Sequence, residues 1–187
     1  GIDAPSESNL LFGAKDTDNA WNANVKSVDL TNFRTDNATT LAFLFNGSKS
    51  LETITGIEHL NTTQVQDLTA AFQYCAALTN LDLSSWKTDN VTSVSNMFFQ
   101  TTQLQTVTGM DTWNMPKLTE ARALFAYSGI TKVDLSNWNP TELRDFTHVF
   151  NGCSNLTEVK IENWEVPYLD GISYAFYNCT SLQNLDL

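Results

Sequence analysis

Three cysteines, two histidines and a spaced set of carboxylates are the residues whose types could carry chemistry in this chain. Cys75, Cys153 or Cys179 would need a base and an orienting third group to act as a nucleophile, or neighbouring ligands at short recurring spacings to hold a metal. His148 stands five residues before Cys153 with no third group beside it, and His59 is isolated. No paired CxxC, HExxH or glycine-rich phosphate loop occurs. The expectation is a non-enzyme with no catalytic residue, no metal and no cofactor.

The carboxylates point to recognition instead. Asp29, Asp82 and Asp134 stand at one place in a recurring phrase, VDLT, LDLS and VDLS, with hydroxyl, amide and ammonium side chains around them. A polar, mildly acidic binding strip is predicted from Asn80, Asp82, Ser84, Thr106, Thr108, Lys132, Asp134, Ser136, Glu158, Lys160 and Glu162. Its central column reads Asp29, Thr55, Asp82, Thr108, Asp134, Lys160, Asp186. Like charges opposed on neighbouring strands repel, and here Thr or Lys separates each aspartate from the next. The strip lacks the Trp, Tyr and Arg anchors that usually concentrate binding energy. It is expected to hold a partner through many weak contacts or several copies.

What must position these side chains is a repeat. The leading apolar residues Leu51, Leu78, Leu104, Ile130, Leu156 and Leu182 are spaced by one step of 27 and four of 26 residues. A weaker unit opens near Val25, giving six full units and the first strand of a seventh over 25–187. In each first half, apolar and polar residues alternate, as in LTNLDLS, which predicts a half-buried strand. In each second half the apolar spacing becomes i, i+3, i+6, i+7, as at Val91, Val94, Met97 and Phe98, which predicts a short helix. Pro116, Pro140 and Pro167 precede three of these sets, and Asn90 and Thr141 are candidate caps. Such units bury their apolar faces only by stacking. Because helices need about 10 Å each and parallel strands about 4.8 Å, the helices are expected to fan outward on a convex side. The parallel sheet would then line a concave side.

Two irregularities fit the frame. TGIEHL and TGMDTW each carry one extra residue, with Gly56 and Gly109 placed to absorb it in a bend, and FAYSGI loses one. Trp86, Trp113, Trp138 and Trp164 occupy one place in successive units, where Phe33 and Leu60 also stand, and are predicted to form a buried ladder rather than a sugar platform. The cysteines share their place with Ser48, Thr101 and Ser128, which predicts small buried side chains and free thiols; Cys153 and Cys179 could pair only on close backbone approach. Tyr74, Phe99, Tyr127 and Tyr177 are expected to be partly buried in the return loop. The six N-x-S/T sequons, at Asn37, Asn46, Asn61, Asn90, Asn155 and Asn178, read as by-products of turn chemistry.

With these residues in view, LTNLDLSSWKTDNVTSVSNMF and ITKVDLSNWNPTELRDFTHVFNGCSN resemble the repeats of BspA-like leucine-rich-repeat surface proteins of bacteria. The resemblance covers about 25–187 and rests on L-x-x-L-x-L, a following tryptophan, and a distal phenylalanine before N/Y-x-C. It implies an α/β, right-handed leucine-rich-repeat solenoid, secreted or displayed on the bacterial envelope, that adheres to a protein or glycan of a host or neighbouring cell. The alternative is a structural spacer that projects another domain.

Composition sets the remaining bounds. The chain has 187 residues, 42% of them hydrophobic, and a formal net charge of −11, which disfavours nucleic acid and anionic membranes as partners. No apolar run is long enough to insert in a membrane, and the opening GIDAPSESN is unlike a signal peptide. Residues 1–24 are read as a flexible N-terminus and a cap built on Leu10, Leu11, Phe12 and Trp21. The end on LQNLDL, a strand without its second half, leads to the expectation of a piece of a longer protein.

Overall fold

The computed structural model describes residues 24–186 and the backbone of Ile2–Asp3; the expected cap therefore lies almost wholly outside the described residues. The alternating phrase of each unit forms a three-residue strand. These are β2 (Ser27–Asp29), β4 (Thr53–Thr55), β5 (Asn80–Asp82), β6 (Thr106–Thr108), β7 (Lys132–Asp134), β8 (Glu158–Lys160) and β9 (Asn184–Asp186). Two shorter strands, β1 (Ile2–Asp3) and β3 (Phe33–Arg34), pair with each other in parallel. Every other pairing is also parallel and joins equivalent residues one unit apart, as Ser27↔Thr53, Asn80↔Thr106 and Lys132↔Glu158↔Asn184. In β2 and β4 to β8 the middle residue is more buried than its two neighbours, as period 2 requires.

The sheet is interrupted twice. The pairs β2–β4 and β5–β6 and the triple β7–β8–β9 are separate sheets, with no strand pairing between β4 and β5 or between β6 and β7. Both breaks follow a unit with an extra residue. Gly56 and Gly109, at φ 79° and 92°, start 3-10 turns at Ile57–His59 and Met110–Thr112. A Cβ on Gly56 would lie 2.4 Å from the Thr31 backbone nitrogen, and one on Gly109 would lie 2.3 Å from the Ser84 Cα. The extra residue is thus absorbed by folding the chain down onto the preceding unit, while the turns still accept hydrogen bonds from the following one, Ile57 from the Trp86 indole and Met110 from the Trp138 indole.

The predicted helices are not formed: among the described residues the only helical segments are those two 3-10 turns. Each second half is instead a run of turns. Two residues four positions apart adopt positive φ in every unit: Phe43 and Gly47, Ala70 and Tyr74, Asn96 and Gln100, Ala123 and Tyr127, His148 and Gly152, Tyr174 and Asn178. An α-helix admits no such residue. The gain is in hydrogen bonding. The amides of Val94, Asn96, Phe98 and Gln100 donate to the carbonyls of Glu120, Arg122, Leu124 and Ala126 in the next unit. The intervening amides of Met97, Phe99 and Thr101 donate three residues back, to Val94, Asn96 and Phe98. A helix would bond only to itself; this backbone is satisfied and joins the units as well. Successive i→i+3 turns also bring i, i+3, i+6 and i+7 to one side, so the apolar spacing alone cannot separate the two conformations. The bridges Thr40↔Asp67↔Ser93↔Glu120↔Asp145↔Gly171 run unbroken along this turn face. Because no α-helix forms on the turn face among the described residues, the expected crowding of helices against strands does not arise there.

The core lies between the two faces. Phe45, Phe72, Phe98, Phe125, Phe150 and Phe176 stack in one ladder with centroids 5.1–5.6 Å apart. Trp86, Trp113, Trp138 and Trp164 form a second at 5.9–6.5 Å. Their indole N–H groups donate to carbonyls of the preceding unit, from Ile57 through Leu135. The predicted core ladder is therefore present, with Trp164 at its partly buried end.

Candidate functional site

The eleven strip residues all reach solvent on the β-ladder face. Their local order comes from the recurring aspartate. Asp82 Oδ1 accepts from the Ser84 amide at 3.0 Å and hydroxyl at 2.6 Å, and Asp134 Oδ1 does the same with Ser136 at 3.1 and 2.6 Å. Asp29 accepts the Thr31 amide at 2.8 Å. The hydrogen bonds from Ser84 hold the Asp82 carboxyl below the usual range. At Asp134 partial burial works in the opposite direction, but Ser136 and Lys160 together outweigh it, so its pKa is lowered too. Asp82 and Asp134 therefore remain anionic.

The strip is not uniform along the array. Around β7 and β8, Lys132 pairs with Glu158 at 3.0 Å, and Lys160 lies 3.7 Å from Asp134 and 3.9 Å from Glu158. Around β4 and β5 Lys26 pairs with Glu52 at 3.2 Å and His59 lies 3.5 Å from Glu58, and among the described residues no lysine or arginine pairs with Asp82 or Glu58. The predicted column order holds within each sheet, where Asp29 faces Thr55, Asp82 faces Thr108, and Asp134 faces Lys160. Between sheets it does not, because Thr55 and Asp82, like Thr108 and Asp134, are unpaired neighbours.

Each break opens a cleft that the sequence reading did not anticipate. The first, of about 340 Å³, lies between β4 and β5 over Ile54, Ile57 and Leu81; the second, of about 320 Å³, lies between β6 and β7 over the equivalent Val107, Met110 and Val133. Both have a carboxylate at the two matched rim positions, Glu58 and Asp82 in one, Asp111 and Asp134 in the other. Eight of the eleven predicted strip residues line these clefts, while Thr106, Ser136 and Glu162 lie outside them. The available signal was the TG-I and TG-M insertion, read only as a bend.

The other candidates carry no site geometry. Cys75 Sγ donates to the Phe45 carbonyl at 3.3 Å and Cys153 Sγ to that of Phe125 at 2.9 Å. All three cysteines are free, and burial pushes the Cys153 thiol up to about 12, against nucleophilicity. His148 stacks on Tyr174 at 5.0 Å. Among the described residues no group of three His, Cys, Asp or Glu side chains is placed to hold a metal ion, and no helix is long and apolar enough to cross a membrane. Tyr74 and Phe99 are half-buried as expected, whereas Tyr127 and Tyr177 are exposed.

A family model described as Mycoplasma protein of unknown function, DUF285, matches residues 15–129 and again 99–187. No curated protein matches the chain. Among solved structures, a leucine rich cell surface protein from Faecalibacterium prausnitzii A2-165 is similar at 16% identity with a TM-score of 0.30. That match covers 86% of this chain, which spans 59% of the other protein's length.

Proposed function

We propose that this chain, which belongs to the DUF285 family, is a non-enzymatic recognition module of a bacterial surface protein, built as a right-handed leucine-rich-repeat solenoid. Its partner is an extracellular protein or glycan held against the β-ladder face. The observation that carries this reading is the exposed column of polar side chains, repeated in register at each parallel pairing over a continuous aromatic core. A surface of that kind presents many equivalent weak contacts at fixed spacing, which suits a large partner better than a small substrate. Placement outside the cell rests on the resemblance of the repeats to BspA-like proteins, and the net charge of −11 favours proteins or glycans over nucleic acid.

The test is binding of the labelled chain to an array of matrix proteins, mucins and glycans, with an Asp82→Lys, Lys160→Glu variant beside it. Saturable binding that the variant loses is expected. Binding to no member of the array would favour the spacer.

A further inference from the structure

We infer that the return edge of the solenoid, where each turn run leads back toward the next strand, is a belt that binds a neutral, β-linked glycan, with sugar rings lying along Tyr74, Phe99, Tyr127 and Tyr177. The belt is separate from the polar strip, takes its own ligand, and stands or falls without it.

Charge supplies the first argument. The chain has 21 acidic and 10 basic residues, yet no Asp, Glu, Lys or Arg occurs in 37–48, 68–81, 90–110, 123–131, 146–157 or 171–185. Each of these stretches carries the distal phenylalanine of a unit and the return that follows it. Burial does not account for the pattern, because Thr102, Gln103, Ser154, Asn155, Asn178 and Thr180 are exposed there and uncharged all the same. A protein partner is ordinarily steered and set in register by complementary charge, which this edge does not offer. A neutral glycan needs none. Its hydroxyls both donate and accept, and amide and hydroxyl side chains answer them in kind.

The rings supply the second argument. Tyr74 and Phe99 meet edge to face at 5.5 Å, and Phe99 and Tyr127 at 5.9 Å, so three successive units share one aromatic row. Backbone bonds fix it: the Tyr74 amide donates to the Phe99 carbonyl at 2.9 Å, the Tyr127 amide to Asn151 and the Gly152 amide to Tyr177 at 2.8 Å each. Gly152 leaves room for the Tyr127 ring, since a Cβ there would lie 2.5 Å from Tyr127 Cδ1. So held, Tyr127 is still 47% exposed, and Tyr177, beyond Gly152, is 55% exposed. Rings fixed in advance and open to solvent bind at a low cost in entropy. A pyranose whose substituents are equatorial shows apolar C–H faces that pack on such rings, which selects the β-linked, glucose-like class. Asn151, only 8% exposed, donates to Tyr127 Oη at 3.4 Å, and its Oδ1 has no partner among the described residues. The fold leaves that acceptor unused.

Repetition supplies the third. An amide side chain adjoins three of the rings in sequence, Gln73 beside Tyr74, Gln100 beside Phe99 and Asn178 beside Tyr177. Ring and amide thus recur at the spacing of the units, about 4.8 Å each, and a chain of several sugars can engage several of them at once.

The experiment titrates cellohexaose into the whole, isotope-labelled chain and follows amide shifts residue by residue. Shifts are expected over 99–103, 126–129, 151–155 and 177–180, and none at Asp82 or Asp134. Cellobiose should bind about tenfold or more weakly, because it spans fewer units, and so should the hexamer whose primary alcohols are oxidised to carboxylates, because the protein is acidic. Tyr127→Asn, which removes the ring and suits the φ of 59° there, should weaken cellohexaose binding about tenfold or more. Tyr177→Ser gives the same reading if the first change disturbs folding. The Asp82→Lys, Lys160→Glu variant should bind cellohexaose as the unaltered chain does. No binding of cellohexaose, equal binding of cellobiose or of the oxidised hexamer, or full binding by both tyrosine variants would overturn the proposal. Binding lost in the charge variant and kept in the tyrosine variants would put the glycan on the strip, leaving the recognition function standing and refuting the belt. Array binding of a protein that Tyr127→Asn abolishes, with cellohexaose unbound, would make the belt a protein interface and also overturn it.

Discussion

Cys153 and Cys75 donate their thiol protons to carbonyls of the preceding unit, Phe125 and Phe45, and are fully buried, so their free thiols act as small packing groups. Native protein should therefore show slow thiol titration at Cys75 and Cys153 and faster reaction at half-buried Cys179, with all three equal after denaturation. A rapid native reaction at Cys75 would contradict this. Gly109 makes the opposite point, because its φ of 92° and the Ser84 Cα 2.3 Å from a would-be Cβ leave no room for a side chain. Gly109→Ala should cost about 2 kcal/mol or more, from left-handed backbone strain and the clash combined, read as a lower denaturant midpoint. At Asp82 and Asp134 the folded pKa is lowered, so their contribution is present above the ordinary carboxylate value of 3.8 and is lost as pH falls through the folded pKa. Both side chains are substantially exposed, which limits each to under about 1 kcal/mol. An Asp82→Asn, Asp134→Asn variant should flatten the acid side of the stability profile without abolishing folding.

At the scale of elements, the turn runs replace the expected helices, and one substitution separates the two conformations. Gln100 is partly exposed with φ 55° and donates to the Ala126 carbonyl. Gln100→Gly removes left-handed strain and should leave stability unchanged or raise it by up to about 1 kcal/mol, whereas in a helix interior it would lower stability by about as much. Circular dichroism should correspondingly lack an α-helical double minimum. Phe98, stacked between Phe72 and Phe125 at 5.6 and 5.1 Å, tests the core ladder: Phe98→Ala should cost about 3–5 kcal/mol. The strands, their register and the buried tryptophans were legible in the sequence because alternation and a fixed period determine them directly. The turns were not, because Val91, Val94, Met97 and Phe98 have the same apolar spacing in either conformation. What decides between them is bonding to the next unit, which no single unit records.

Across the whole molecule, one continuous face supports one interrupted face. The polar strip could be predicted residue by residue from the repeat, but a continuous sheet was assumed, and the clefts at Gly56 and Gly109 follow from where an extra residue folds rather than from its presence. Residue-resolved amide hydrogen exchange tests this arrangement most directly. Slow exchange is predicted at the inter-unit donors of the turn face, Ala70, Phe72, Asn96, Phe98, Ala123 and Phe125, and at Leu83 and Leu135 within the paired sheets. Fast exchange is predicted at the cleft edges, Ile54, Asn80, Asp82, Val107, Lys132 and Asp134. Equal protection at those edges and within the sheets would mean that the β-ladder is continuous, and would contradict the account.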